Sequence, residues 1–259
     1  IPIIHVLDNW SQYAERLQAP DLAGTVRTLI PDVYCVMDQL AYDEAIAAGV
    51  PETIIQVTGH PNLAKLAEEE ATFKGSTSQK EHILFVSEPA EIDSGNRHDP
   101  NGRGYDEAEV SHLFAEAVAT QPEAHSVPIF IAPHPREDRM AVTVRWAELA
   151  RTHGLYCQIV PQDKVRETLH SARAVVGMSS LLLYESWLLG LPTLSLQPNL
   201  RVPQMAQLGR RDGVELCTKA QNSQDAVRRL LAANAPVGSG RRDMAYHKDA
   251  ARAVLHCAL

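Results

Sequence analysis

The chain alternates short, unbroken apolar runs with longer amphipathic stretches. The runs are Ile3–Leu7, Val33–Met37, Thr53–Val57, His82–Ser87, Val127–Ala132, Leu155–Val160, Ala174–Gly177 and Thr193–Leu196. Continuous runs of this length mark strands buried on both faces of a parallel sheet, whereas alternating ones mark a sheet with one wet face. The segments between them predict helices over Trp10–Leu17, Gln39–Ala48, Pro61–Phe73, Asp106–Thr120, Glu137–His153, Lys164–Ala172 and Ser180–Leu189. A repeated strand–helix order with right-handed crossovers predicts the α/β class with doubly wound parallel sheets.

The stretch Lys74–Lys80 (KGSTSQK) is polar and has no apolar anchor, so it reads as a linker. It divides the chain into residues 1–74 and 75–259. The first part holds only three strands and three helices, and Ile1 already lies against an apolar run. It is expected to be the C-terminal part of a Rossmann-like domain that begins upstream. Residues 75–259 predict a nearly complete second Rossmann-like domain, closed by a helix from about Gly238 onward. After its first strand comes the irregular stretch Glu88–Tyr105, rich in Gly, Asp, Asn and Arg. Such a stretch is either a ligand-covering loop or a mobile insertion.

Composition narrows the function classes. Of the 259 residues, 45% are hydrophobic and 22% charged, as in ordinary globular proteins. The net charge of −8 argues against nucleic acid as a partner. It leaves room for a phosphate, which backbone N–H groups at a helix N-terminus can bind on an acidic protein. Aromatic residues are only 5%, too few for an aromatic sugar platform. Cys35, Cys157, Cys217 and Cys257 form no C-x-x-C pair and are expected to be reduced thiols, in keeping with a cytoplasmic protein. No metal-ligand cluster is apparent, since His98, Asp99 and His112 lack convincing spacing, and no cofactor is expected.

Three short motifs fall at the carboxyl ends of predicted strands in the second domain, where open α/β sheets bind ligands. Ser87-Glu88-Pro89 offers a hydroxyl and a carboxylate, or simply a strand-ending turn. In Ala132-Pro133-His134-Pro135-Arg136-Glu137, two prolines fix the backbone around His134. His134 and Arg136 can donate to a phosphate, or Pro135 and Glu137 merely open the next helix. In Gly177-Met178-Ser179-Ser180, one serine suffices to cap the following helix, and a second hydroxyl at that positive end suits a phosphate. Glu185, within the apolar helix that follows, needs a partner: a ribose diol or a neighbouring arginine.

The run GMSSLLLYESWLLGLPTLSLQPNLR is similar to the nucleotide-binding segment of GT-B glycosyltransferases and of the non-hydrolysing UDP-N-acetylglucosamine 2-epimerases. The resemblance implies two Rossmann-like domains, with Ser179 and Ser180 at the phosphates and Glu185 on the ribose. The stretch ending in VTGHP resembles the end of the epimerases' first domain. His134-Pro135 and the paired serines also resemble bacterial sialyltransferases and the capsule and teichoic-acid polymer transferases. The chain departs from the epimerases after the strand HILFV, where it has VSEPAEID instead of a loop bearing His and Arg.

The first domain adds candidates for a general base. Asp8, in HVLDNW, and His60, in TGHP, each end a predicted strand. Asp8 is otherwise an N-cap and His60 a turn residue. The leading expectation is a metal-independent GT-B glycosyltransferase of polysaccharide synthesis. It would use a CMP-, CDP- or UDP-linked sugar and a glycan or lipid-linked acceptor, with peripheral membrane association and a homodimer both left open. The alternatives are a UDP-N-acetylglucosamine 2-epimerase-like enzyme and a non-catalytic nucleotide-sugar-binding protein.

Overall fold

The structure is a computed structural model that describes residues 2–10, 12–73, 82–122, 125–233 and 240–258. The predicted linker Lys74–Lys80 lies outside the described residues. Chain contacts group into two units, residues 1–76 with 241–259, and residues 77–240.

In the first unit, β1 (Ile4–Val6), β4 (Val33–Val36) and β5 (Ile55–Val57) form a parallel sheet in the order β1-β4-β5. Between β1 and β4, β2 (Gln18–Pro20) and β3 (Val26–Thr28) make an antiparallel hairpin. Asp21 closes its turn by accepting from the Ala23 and Thr25 amides. Helix α1 (Gln39–Ala47) is capped by Asp38, whose side chain accepts from the Ala41 amide. Helix α2 (Pro61–Phe73) follows β5.

Two expectations change here. The helix expected over Trp10–Leu17 is instead a set of turns with a 3-10 helix at Glu15–Leu17. Gln12 stands at φ 58°, a left-handed conformation that a helix interior cannot hold. Trp10, Tyr13 and Leu17 imitate helical spacing because all three are buried. Tyr13 donates to Glu44, and its carbonyl accepts from the Tyr34 hydroxyl.

The second change concerns the C-terminal segment, expected as one closing helix of the second domain. It forms the last two helices of the chain, over Gly240–Lys248 and Ala250–His256, and from residue 241 on it groups with the first unit. Gly59 permits this docking: it sits at φ +76°, and a Cβ there would lie 2.1 Å from the Tyr246 carbonyl oxygen. The adjacent His60 amide donates to the buried His247 Nδ1 at 3.0 Å.

The second unit is built on a six-stranded parallel sheet whose strands, in spatial order, are β11 (Val214–Cys217), β10 (Thr193–Leu196), β9 (Ala172–Gly177), β6 (His82–Val86), β7 (Ile129–Ala132) and β8 (Cys157–Ile159). Its helices are α3 (Ala90–Ser94), α4 (Glu107–Ala119), α5 (Arg139–His153), α6 (Val165–His170), α7 (Leu181–Leu188) and α8 (Ser223–Ala232). β6 is buried along its whole length, as its unbroken apolar run requires. Ile83 and Phe85 join the core with α4, α5 and α8; Phe85 meets Trp146 edge-on at 4.8 Å and stacks on Phe114 at 5.3 Å. Helices α6 and α7 pack against β9, and α7 also against β10. Asp106 caps α4, Asp138 caps α5, and Gly154 in the left-handed region ends α5.

Among the described residues no helix is long and apolar enough to cross a membrane.

Candidate functional site

The carboxyl ends of β6, β7 and β9 open on a cleft of about 560 Å³ within the second unit. Its lining includes Ser87 after β6, Pro133, His134 and Pro135 after β7, and Gln162, Asp163 and Arg166 after β8. Ser180, Leu181, Leu182 and Glu185 complete it at the start of α7. This is where an open parallel sheet of this kind presents a ligand site.

The turn from Gly177 to Ser180 is braced from behind. A Cβ on Gly177 would lie 2.8 Å from the Val86 carbonyl oxygen, so only glycine lets β9 turn this close to β6. The Glu88 carboxylate accepts from the Met178 amide at 3.2 Å, the Ser179 amide at 2.6 Å and the Ser179 hydroxyl at 2.9 Å. On the other side Gln197, fully buried, donates to the Met178 carbonyl and accepts from the Tyr105 hydroxyl. Burial raises the pKa of Glu88, and the turn's donors and Arg103 pull it back only in part. Glu88 and Ser179 therefore face each other beneath the cleft. Ser180 faces the cleft and caps α7, its hydroxyl oxygen accepting from the Leu182 amide at 3.2 Å.

His134 is held by its own loop. Its amide donates to Glu137 at 2.8 Å, and its Nδ1 accepts from the Arg136 amide at 3.1 Å. Burial and the nearby Arg136 charge lower its pKa, with Asp93 opposing. A neutral ring whose Nδ1 accepts carries its proton on Nε2, so His134 is a hydrogen-bond donor at neutral pH. The Arg136 guanidinium points away to Asp93, which it grips through two bonds of 2.7 and 3.1 Å. Arg103 reaches the same carboxylate at 3.3 Å. Partial burial opposes ionisation of Asp93, but the two arginines outweigh it and lower its pKa.

These contacts also decide the character of the stretch Glu88–Tyr105. It is tied down by the Arg136 guanidinium on Asp93, by a bond from the Arg201 guanidinium to the Asp99 carbonyl, and by the buried Tyr105. A plain mobile insertion would lack such anchors.

Glu185, mostly buried on α7, has Arg166 at 3.5 Å. The neighbouring arginine is thus present, and both groups line the cleft.

Of the residues singled out in the sequence for this domain, Ser87, His134, Ser180 and Glu185 come together at the cleft. Glu88 and Ser179 support it from below, and Arg136 braces its rim. Arg166 is the neighbouring arginine expected as one partner of Glu185, whereas sequence position does not single out Asp93 and presents Glu137 only as the opening of a helix. In the first unit, Asp8 is exposed and paired with Arg16 at 2.5 Å. Slight burial opposes its ionisation, but the arginine prevails and its pKa is lowered. His60 is buried, which lowers its pKa against the opposing charge of Asp8. Its Nδ1 accepts from the Asn62 amide, leaving the proton on Nε2. Among the described residues no group of three or more His, Cys, Asp or Glu side chains could hold a metal ion.

No protein-family model matches the chain, and no curated protein matches it by sequence. Solved structures match it by fold. The UDP-GlcNAc 2-epimerase of Methanocaldococcus jannaschii, in complex with UDP-GlcNAc and UDP, superposes with a TM-score of 0.56 at 16% identity over 87% of this chain. The enzyme of Neisseria meningitidis bound to UDP-GlcNAc gives 0.53 at 12% identity over 88%. The chain has the Rossmann-like GT-B fold of these epimerases. It spans 61% and 60% of their respective lengths. These two structures give no support to the further likeness to sialyltransferases and polymer transferases.

Proposed function

We propose that the second unit binds a nucleotide diphosphate-sugar, and that the chain is the donor-binding part of a GT-B type glycosyltransferase. The observation that carries this reading is the convergence of His134, Ser180 and Glu185 on one cleft at the strand ends. The His134 Nε2–H and the N-terminus of α7 supply donors for a diphosphate that needs no metal. Glu185 accepts from a ribose diol, for which Arg166 is the competing partner. A uridine nucleotide is favoured because the epimerases that share the fold were solved with UDP and UDP-GlcNAc. In the first unit, Asp8 is the better general base: its carboxylate is ionised, whereas neutral His60 has Nδ1 engaged and offers an N–H.

A second reading, a 2-epimerase-like reaction on UDP-GlcNAc, is favoured by the identity of those same fold relatives. Incubation with UDP-GlcNAc alone, followed by proton NMR, separates the two. Conversion without an acceptor supports epimerisation. An unchanged sugar that is consumed only when a glycan acceptor is added supports transfer. Before either, a thermal-shift series with CMP, CDP, UDP, UDP-GlcNAc, GDP and ADP tests the binding itself. A ligand at about 100 times its Kd adds roughly 2.7 kcal/mol. No shift with any nucleotide refutes the proposal.

A further inference from the structure

Glu137 does something that neither the fold nor a role in opening α5 requires. Its carboxylate bridges the ends of two neighbouring strands. Oε1 accepts from the Ser87 hydroxyl at 2.7 Å, and Oε2 accepts from the His134 amide at 2.8 Å. Both partners line the cleft, one after β6 and one after β7. Ser87 is only 1% exposed, so its hydroxyl has few alternative orientations.

We infer that Glu137 is a positioning residue that sets the hydrogen-bond polarity of the cleft, making Ser87 an acceptor toward the ligand. A serine hydroxyl has one hydrogen and two lone pairs. Glu137 takes the hydrogen. Only lone pairs are left to face a ligand, and these cannot bind a phosphate oxygen, which also accepts. They can bind a sugar hydroxyl or a nucleobase N–H. The cleft is thereby divided: the His134 Nε2–H and the α7 N-terminus address anionic oxygens, while Ser87 reads a donor group on the same ligand.

The inference rests on the nucleotide-sugar reading, and the variants Glu137→Gln and Ser87→Ala examine it. In Glu137→Gln the amide oxygen must serve the His134 N–H, which can only donate. The amide NH2 then faces Ser87 and occupies its lone pair, turning the hydroxyl hydrogen into the cleft. The polarity at Ser87 is inverted with hardly any change in shape. Titration calorimetry with UDP-GlcNAc should show each single variant three- to tenfold weaker than wild type, the usual worth of one neutral hydrogen bond. The double variant should bind no more weakly than Ser87→Ala alone, because Glu137 acts through Ser87. Additive losses, or unchanged binding in Glu137→Gln, overturn the inference.

A ligand-free readout separates this from failure of the nucleotide reading. Amide hydrogen exchange at His134 should be slow in the wild type and in Glu137→Gln, and at least tenfold faster in Glu137→Ala. Fast exchange in the wild type, or no change in Glu137→Ala, overturns the bridging role itself. If the exchange pattern holds but the wild type binds no nucleotide, the assignment of Ser87 as a reader of nucleotide-sugars falls, together with the nucleotide reading.

Discussion

Replacing Glu88 tests whether the turn before α7 is held by a buried carboxylate. In Glu88→Ala the Met178 and Ser179 amides lose their acceptor, and so does the Ser179 hydroxyl. Each stranded backbone donor costs about 1–3 kcal/mol. The serine hydroxyl can rotate, and removing a desolvated charge returns part of the loss. The expected net cost is about 2–4 kcal/mol. Glu88→Gln keeps the oxygen that both amides use, so it should cost no more than about 1 kcal/mol. Urea unfolding followed by tryptophan fluorescence reads this out in a Trp10→Phe background. There the remaining tryptophans, Trp146 and Trp187, both lie in the second unit. With a slope of about 1–3 kcal/mol per molar urea, the alanine variant should unfold roughly 1–2 M earlier. The pH dependence adds a sign. Burial raises the Glu88 pKa above its ordinary 4.5, so the unfolded chain releases this proton first. The wild type then loses stability as pH rises through and above 4.5, whereas the glutamine variant does not, and the gap moves in favour of glutamine as pH rises above that value. An alanine variant within about 0.5 kcal/mol of wild type, or a glutamine variant as damaged as alanine, would mean that the Glu88 carboxylate does not hold this turn.

Three further outcomes are expected. Burial and Arg136 lower the His134 pKa below 6.5, so its contribution to stability is lost as pH falls below that value; a bound diphosphate should reverse the shift, tightening nucleotide binding from pH 7.5 to 6 with proton uptake visible in calorimetry across buffers, and binding that ignores pH contradicts this. Gly59→Ala should cost about 3 kcal/mol, combining a left-handed backbone with overlap on Tyr246, and should speed proteolysis within residues 240–258. Gly24→Ala, equally left-handed but with nothing within 4 Å, should cost only about 1–2 kcal/mol, and equal damage at both sites would contradict the docking account. Asp93→Asn should cost about 1 kcal/mol at pH 7, since Arg136 is half exposed. The arginines lower the Asp93 pKa below 3.8, so this contribution is present above that value and fades as acid protonates the wild type, which denaturation at pH 7 and near pH 2 will show.

The sequence pattern was most informative where burial is uniform. β6 and β10 are buried along their whole length and appear as unbroken apolar runs. α2 was predicted at its observed boundaries. The pattern misled where burial and helical spacing coincide by accident, as at Trp10, Tyr13 and Leu17. It was silent on the β2–β3 hairpin, whose strands are largely exposed, and on the short strand β11 with its mid-strand Glu215. At the cleft, strand-end position identifies Ser87, His134 and Ser180 because neighbouring parallel strands bring their carboxyl ends together, and Glu185 stands out as a carboxylate on the apolar helix α7. It could not distinguish a residue that faces the cleft from one that braces it. Glu88 and Ser179 satisfy each other, and Arg136 is taken by Asp93, a partner 43 residues away. Glu137 was hidden for the opposite reason: its position three residues after His134 suits helix opening, and only the fold brings Ser87 to it.

Titration calorimetry with UDP-GlcNAc shows whether the cleft of the second unit binds a nucleoside diphosphate-sugar. Saturable binding to the wild type is expected, at least tenfold weaker in His134→Ala and in Glu185→Ala and unaffected by Cys257→Ser, a change in the first unit. Binding that is absent in a folded wild type, or that both cleft variants leave unchanged, would mean that this cleft is not a nucleotide-sugar site.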